Sequence, residues 1–279
     1  MGIPRPFPIV GAEELPISDF QKFIGEYTWL EILHALRPHF ARYFFDQHLT
    51  ADRFVFLGPE NWVLAPLRGV LNSLAEHPIA LLPQRLQPPH DDHWPAERHF
   101  LNVGVYQADT WALRRSEEAE RFLDWWSTRM REQGWLRLCE GYGLDQLWLN
   151  LVPVFFERVA TVLEPGLGVG VGNADERLLT KTGADWQVGQ QPLTLVNWAG
   201  FDLSRLRWEA HLTDRPTAAP WRALAVVYRQ EVPAMTSTPE PAFGRPLARP
   251  RIPRSRYRYI RPLQRLMAWI DRVPVPFLR

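Results

Sequence analysis

Short apolar runs that end on Gly or Pro alternate along this chain with stretches of helical periodicity, and that alternation restricts the fold more than any other feature. Arg53-Phe54-Val55-Phe56-Leu57 is closed by Gly58-Pro59, and Ile79-Ala80-Leu81-Leu82 is stopped by Pro83. Apolar runs of this length suit strands buried on both faces, as in a parallel sheet. Shorter runs predict strands at 103–106, 159–163 and 193–196. Between them, residues 19–36 carry Phe20, Phe23, Ile24, Tyr27, Leu30 and Leu33 at helical spacing. Pro38 is expected to open the next helix, because proline suits a first turn and not an interior. Residues 67–75, 144–150 and 220–230 also read as helix. The clearest helix is 116–131, with Ser116 as its cap, Glu117, Glu118 and Glu120 in its first turns, and Phe122, Trp125, Trp126 and Met130 on its apolar face. Strands alternating with helices predict an α/β class with a largely parallel sheet flanked by helices.

A chain of 279 residues is long enough for one large α/β domain with an appendage. The expected division is an α/β domain over 1–232, followed by a Pro- and Arg-rich linker and a basic amphipathic helix over 233–279. Thirteen Trp and fifteen Phe supply a large aromatic core. The net charge of +1 gives no global field to recruit nucleic acid, and no nucleic-acid motif is present. Cys139 is the lone cysteine, so an internal disulfide is excluded. No apolar run reaches the ~18 residues that span a bilayer, and the start lacks the apolar core of a signal peptide. A cytoplasmic location is therefore expected. In the tail, Arg245, Arg249, Arg251, Arg254, Arg256, Arg258, Arg261 and Arg265 accompany Tyr257, Tyr259, Leu263, Leu266, Met267, Trp269 and Ile270. That mixture fits docking of 245–279 on an anionic membrane surface, or a wrap against its own domain.

Several motifs occur in a specific order. Leu36-Arg37-Pro38 precedes Phe56-Leu57-Gly58-Pro59-Glu60. Then come Asn102-Val103-Gly104-Val105, Arg121-Phe122-Leu123-Asp124-Trp125-Trp126, Asp145-Gln146, Gly172-Asn173-Ala174-Asp175-Glu176-Arg177 and Asn197-Trp198-Ala199-Gly200-Phe201. This series, from about Glu13 to about Asp202, resembles a bacterial group of GT-A-type nucleotide-sugar glycosyltransferases, distantly similar to the retaining galactosyltransferases of family 8. The resemblance implies a GT-A fold and transfer of a sugar from a nucleotide-sugar donor to a glycan or lipid-linked acceptor. It also implies roles for particular residues. Asp145 and Gln146 would hold the donor sugar as the catalytic pair. Arg37, Asn102, Gly104, Arg177 and Gly200 would bind donor or substrate. Glu60 and Asn197 would stand at the positions that hold a divalent metal, manganese or magnesium, which neutralises the diphosphate leaving group.

The sequence departs from the family's pattern at that metal. The family has an Asp-x-Asp motif and a later His; here the positions read Gly58, Glu60 and Asn197. Gly58 has no side chain, Glu60 is one methylene longer than aspartate, and Asn197 offers only an amide oxygen. Loss of charged ligands weakens the hold on a hard cation. A metal-independent enzyme would need an Arg at the leaving group, with Arg37, Arg98 and Arg177 as candidates. The alternative is a catalytically degenerate homologue that binds a glycan, a nucleotide or a partner. The family also opens with a βα piece of roughly 30 residues before the segment matching Glu13. Its absence here implies a truncated chain, a strand supplied by another chain, or lost nucleotide binding, and it would leave a sheet edge open near the cleft.

Three further patterns have simpler readings. His90-Asp91-Asp92-His93, in the polar stretch 84–96, is better read as a loop than as a metal cluster, since adjacent residues rarely point at one ion. The alternating glycines from Gly166 to Gly172 lack a phosphate-loop ending and are expected to thin one face of a strand. Cys139 has no evident base beside it.

Overall fold

The computed structural model describes residues 8–89, 96–209 and 217–232, together with Pro262 and Leu266. The His90–His93 cluster, and the linker and basic helix expected over 233–279 apart from those two residues, lie outside the described residues. In chain order, helix α1 (Phe20–Gly25) and helix α2 (Trp29–Gln47) lead into strands β1 (Arg53–Leu57) and β2 (Asn61–Val63). Helix α3 (Arg68–Ser73), strand β3 (Ile79–Pro83), helix α4 (Glu97–Val103), strand β4 (Tyr106–Arg114), helix α5 (Glu117–Gln133) and strand β5 (Val159–Thr161) follow. Strands β6 (Leu179–Thr182), β7 (Asp185–Val188), β8 (Gln191–Pro192) and β9 (Leu195–Asn197) precede helix α6 (Ala219–Glu231).

The class is α/β, but the expectation of a largely parallel sheet is corrected. The main sheet has the order β1-β4-β3-β5, and β4 runs antiparallel to both β1 and β3; only β3 and β5 are parallel. The reason lies in the connection from β3 to β4. It returns to the end of β3 that it left, with Tyr106 opposite Pro83 and the Gln84 N–H donating to the Val105 carbonyl at 2.8 Å. Apolar periodicity does not encode strand direction. The strand expected at 103–106 is likewise displaced. Val103 ends α4, Gly104 turns the chain at φ +110°, and the strand begins only at Tyr106.

The helices expected at 19–36 and from Pro38 are also corrected. The chain breaks after Gly25, restarts at Thr28 and runs through Pro38 to Gln47. Thr28 and Glu31 form a reciprocal capping box, and Glu31 Oε1 also accepts from the Leu136 N–H at 2.9 Å. That local signal defines the start of α2. Pro38 removes one intrahelical hydrogen bond, but its ring is buried, and packing of α2 on α5 keeps the helix continuous. Phe122, Leu123 and Trp126 of α5 are fully buried, so the Arg121–Trp126 motif is core. Trp126 packs edge-on to Trp111, which stacks on Phe56 of β1 with centroids 5.0 Å apart.

A second apolar cluster gathers Trp186, Trp198, Trp208 and Trp221 beneath α6. It fixes the chain after β9, which pairs antiparallel with β2. The glycines at 166–172 form a turn-rich segment rather than a strand, touching β9 through one bridge, Val169 to Val196. Among the described residues β1 pairs only with β4, so its other edge has no strand partner. Beside that edge lies an apolar groove of about 490 Å³ between β1 and α2, walled by Leu30, Leu33, Phe40, Phe44, Phe54 and Phe56. No helix among the described residues is long and apolar enough to cross a membrane.

Candidate functional site

A polar cleft of about 380 Å³ opens where the ends of β1, β3 and β4 meet the glycine segment and β9. Its volume suits a small ligand. His34, Arg37 and Glu60 stand in its wall and also in the wall of the apolar groove. Gln84, Gln107, Asp109, Gln146, Asn173, Asn197 and Gly200 complete most of the polar lining. The cleft thus joins residues more than a hundred positions apart.

Asp109 is the residue that sequence reasoning missed. The β1/β4 register sets Leu57 opposite Thr110, which carries Gly58 to the level of Asp109, and the Gly58 N–H donates to the Asp109 carbonyl at 2.7 Å. A Cβ on Gly58 would lie 2.8 Å from the Asp109 Cβ. Glycine is required there because Asp109 already occupies the space. The Asp109 carboxylate accepts a hydrogen bond from Asn197 Nδ2. Burial raises its pKa from 3.8 to about 6; Arg37 opposes the rise, while Glu60 and Asp145 add to it. The only signal in the sequence was indirect: Gln107, Asp109 and Trp111 alternate on one face of a strand.

Asn197 serves as an anchor for that carboxylate. Its Oδ1 accepts from the Ala199 N–H at 2.7 Å while Nδ2 faces Asp109. The reversed amide would set a donor against the Ala199 N–H, so the network fixes the orientation. Asn197 Oδ1, expected as a metal ligand, accepts this one hydrogen bond and keeps a second lone pair. Glu60 is exposed and lines the cleft, within the turn that the Asn61 N–H closes by donating to the Gly58 carbonyl. Among the described residues no three His, Cys, Asp or Glu side chains converge as a metal cage.

Asp145 is fully buried rather than in the cleft. One oxygen is 2.8 Å from His34 Nδ1 and the other accepts from Arg37 Nη1 at 2.9 Å. It holds two wall residues and does not itself line the cleft. Gln146 does line the cleft, its amide tied to the Val103 carbonyl at 3.0 Å and the Ala108 N–H at 3.4 Å. Arg37 lies in the wall with 15% of its side chain exposed. Gly200, at φ +74°, also lines the cleft.

Three expected binding residues lie elsewhere. Asn102 is exposed on the last turn of α4, outside the cleft lining. Gly104 is a packing residue: a Cβ there would meet the Gln146 carbonyl oxygen at 2.9 Å. Arg177 is buried and donates to the Leu167 and Pro83 carbonyls and to Glu176. Its hydrogen bonds tie the glycine segment to the end of β3, and it does not line the cleft. Arg98 is exposed on α4 and does not line the cleft. Arg37 alone of the three candidate arginines reaches the cleft wall.

Gln107 supplies an open acceptor. It is 7% exposed, its Nε2 donates to the Gly168 carbonyl at 3.0 Å, and its Oε1 has no hydrogen-bond partner among the described residues. A buried acceptor left open at a cleft wall awaits a donor from a ligand or water.

No family model matches the chain, and no curated protein matches it. Among solved structures it is similar to the crystal structure of a glycosyltransferase involved in the glycosylation of the major capsid of PBCV-1. That likeness covers 77% of this chain and 94% of that one, at 10% identity and a TM-score of 0.42. Similarity at this level assigns no family, donor or residue role.

Proposed function

We propose that this protein is a glycosyltransferase-like enzyme whose cleft takes a nucleotide-sugar donor and passes the sugar to a glycan or lipid-linked acceptor. One observation carries the reading: Arg37, Glu60, Gln146, Asn197 and Gly200, from motifs spread over the chain, line a single polar cleft. A diphosphate leaving group needs cationic compensation as the glycosidic bond breaks. Arg37 is the fixed cation of this cleft, held by buried Asp145. A divalent metal would supply Lewis-acid charge neutralisation. The donor set fits such an ion only in a limited form, with carboxylates on one side and phosphate oxygens completing the shell, as hard cations accept. Gln107 Oε1 and the Gln146 amide offer acceptor and donor chemistry to sugar hydroxyls. Binding a GT-A-type donor at this cleft, the acceptor class, and any membrane contact through 245–279 all belong to this proposal.

Calorimetry with a panel of nucleotide sugars, with and without manganese, tests it. Binding by at least one donor, weakened roughly tenfold or more by Arg37→Gln, is the expected result. Heat-silent titrations across the panel under both conditions would sink the enzyme reading. A second reading, a partner-binding homologue, draws on the apolar groove beside the open edge of β1. Donor-independent capture of an extended peptide along β1 would favour it.

A further inference from the structure

Helix α2 carries His34 and Arg37 three residues apart, and both side chains meet the same carboxylate. Asp145 is fully buried, with Oδ1 2.8 Å from His34 Nδ1 and Oδ2 accepting from Arg37 Nη1 at 2.9 Å. Leu144, just before it, sits at φ +57°, a conformation that a side chain of this shape keeps only where its surroundings hold it. Arg37 already supplies the counter-charge that a buried carboxylate needs. The second contact therefore serves to fix the imidazole. A carboxylate oxygen only accepts, so Nδ1 carries the hydrogen, and in the neutral ring Nε2 keeps its lone pair. Among the described residues Nε2 has no hydrogen-bond partner. Because Nδ1 is turned to a fully buried group, the edge bearing Nε2 is the part of the ring left to face the cleft. His34 lines that cleft with 21% of its side chain exposed.

We infer that Asp145 and His34 form a carboxylate–imidazole dyad, with His34 Nε2 as the proton acceptor for the hydroxyl that attacks the donor sugar. His34 is the catalytic residue of the pair and Asp145 the positioning residue, because only the imidazole reaches the cleft. The inference rests on the transferase reading for its substrate. As the acceptor oxygen bonds to the anomeric carbon, its proton passes to Nε2. The electron pair of the breaking glycosidic bond leaves on the diphosphate, beside Arg37. The imidazolium formed in that step is stabilised by the Asp145 carboxylate, and its proton passes to bulk water after the product departs. Arg37 and His34 divide the work by their chemistry: a guanidinium can only donate, whereas an imidazole can take a proton. Glu60, Asp109 and His99 are the other titratable groups of the cleft wall, and Asp109 is the rival proton acceptor.

Nitrogen-15 spectra of the histidine-labelled full chain, without ligand and at alkaline pH, read the tautomer directly, and His34→Gln assigns the resonances. The proton should sit on Nδ1 of His34, and Asp145→Asn should admit the other tautomer. A His34 ring protonated at Nε2 in the wild type overturns the dyad. Turnover of the panel of nucleotide sugars is followed as donor hydrolysis, with water in place of the acceptor, beside calorimetric binding of the same donors. His34→Gln should lower kcat by about a hundredfold or more while the donor Kd stays within about threefold. Imidazole added to His34→Ala should restore part of the lost rate, and His77→Gln, outside the cleft, should change neither quantity. Weaker binding with kcat unchanged would make His34 a binding residue and overturn the inference. Loss of turnover in Asp109→Asn with none in His34→Gln would move the proton acceptor to Asp109 and overturn it equally. Cooperative thermal unfolding verifies that each variant is folded, and His34→Gln keeps the test valid if Asp145→Asn is not. The two readings fail separately. Donors that neither bind nor turn over sink the transferase reading, and the tautomer then decides the dyad alone. Donors turned over equally by wild type and His34→Gln leave the transferase standing and remove the base.

Discussion

Replacing Asp109 by asparagine should make the metal-free protein more stable at neutral pH. The amide keeps the size of the carboxyl and can still accept from Asn197 Nδ2. The raised pKa of Asp109, from 3.8 to about 6, means that the folded state holds the proton more tightly than the unfolded chain. Stability contributed by that bound proton is present at low pH and is lost as pH rises from near 4 through 6. At ~1.36 kcal/mol for each tenfold change in acidity, the ionised carboxyl costs the fold at most about 3 kcal/mol above that window. Asp109 is partly open to the cleft, and water there reduces the penalty to about 2 kcal/mol. For a chain of this size that corresponds to a melting temperature about 5 °C higher for Asp109→Asn near pH 7.5. Near pH 4 the two proteins should melt within about 1 °C of each other. Scanning calorimetry at both pH values, in chelator, reads the effect directly. A variant less stable than wild type at neutral pH, or a difference equal at both pH values, would refute the reasoning.

Three other perturbations have defined outcomes. His39 is pushed down from 6.5 to about 4, first by burial and then by Arg131; its contribution is fully present above about pH 6.5 and falls away, by about 2–3 kcal/mol, as pH drops through 4. His39→Phe should flatten that part of the acid-unfolding profile, measured by urea midpoints across pH. Thr28→Ala breaks the capping box of α2 and should cost about 1 kcal/mol in chemical denaturation. Gly104→Ala combines φ +110° with a Cβ 2.9 Å from the Gln146 carbonyl oxygen. It should destabilise by about 1–3 kcal/mol and displace Gln146, seen as a changed amide resonance in NMR spectra.

Much of the local structure was legible because its causes are local. The cap at Ser116, with its Oγ accepting from the Ala119 N–H, and the acidic first turn of α5 are written within a few residues. So are the apolar runs of β1 and β3, with Gly58 just beyond the first and Pro83 as the last residue of the second. Where packing overrode local preference the reading failed. Pro38 sits inside a helix because the surroundings of α2 hold it there, and Val103 belongs to a helix because the strand cannot begin until Gly104 has turned the chain.

The site divides along the same line. The sequence alone determined that position 58 carries no side chain and that Glu60, Gln146, Asn197 and Gly200 were worth watching. Only the tertiary structure decided what stands beside Gly58. Strand direction and register set Asp109 beside Gly58, and neither is carried by residue periodicity. Burial decided that Asp145 and Arg177 act as supports, since a motif specifies residue types but not which side chains reach the cleft. That position 58 lacks a side chain is therefore a local fact of the sequence, whereas the presence of Asp109 beside it depends on a pairing between strands about fifty residues apart, which only the folded chain brings into contact.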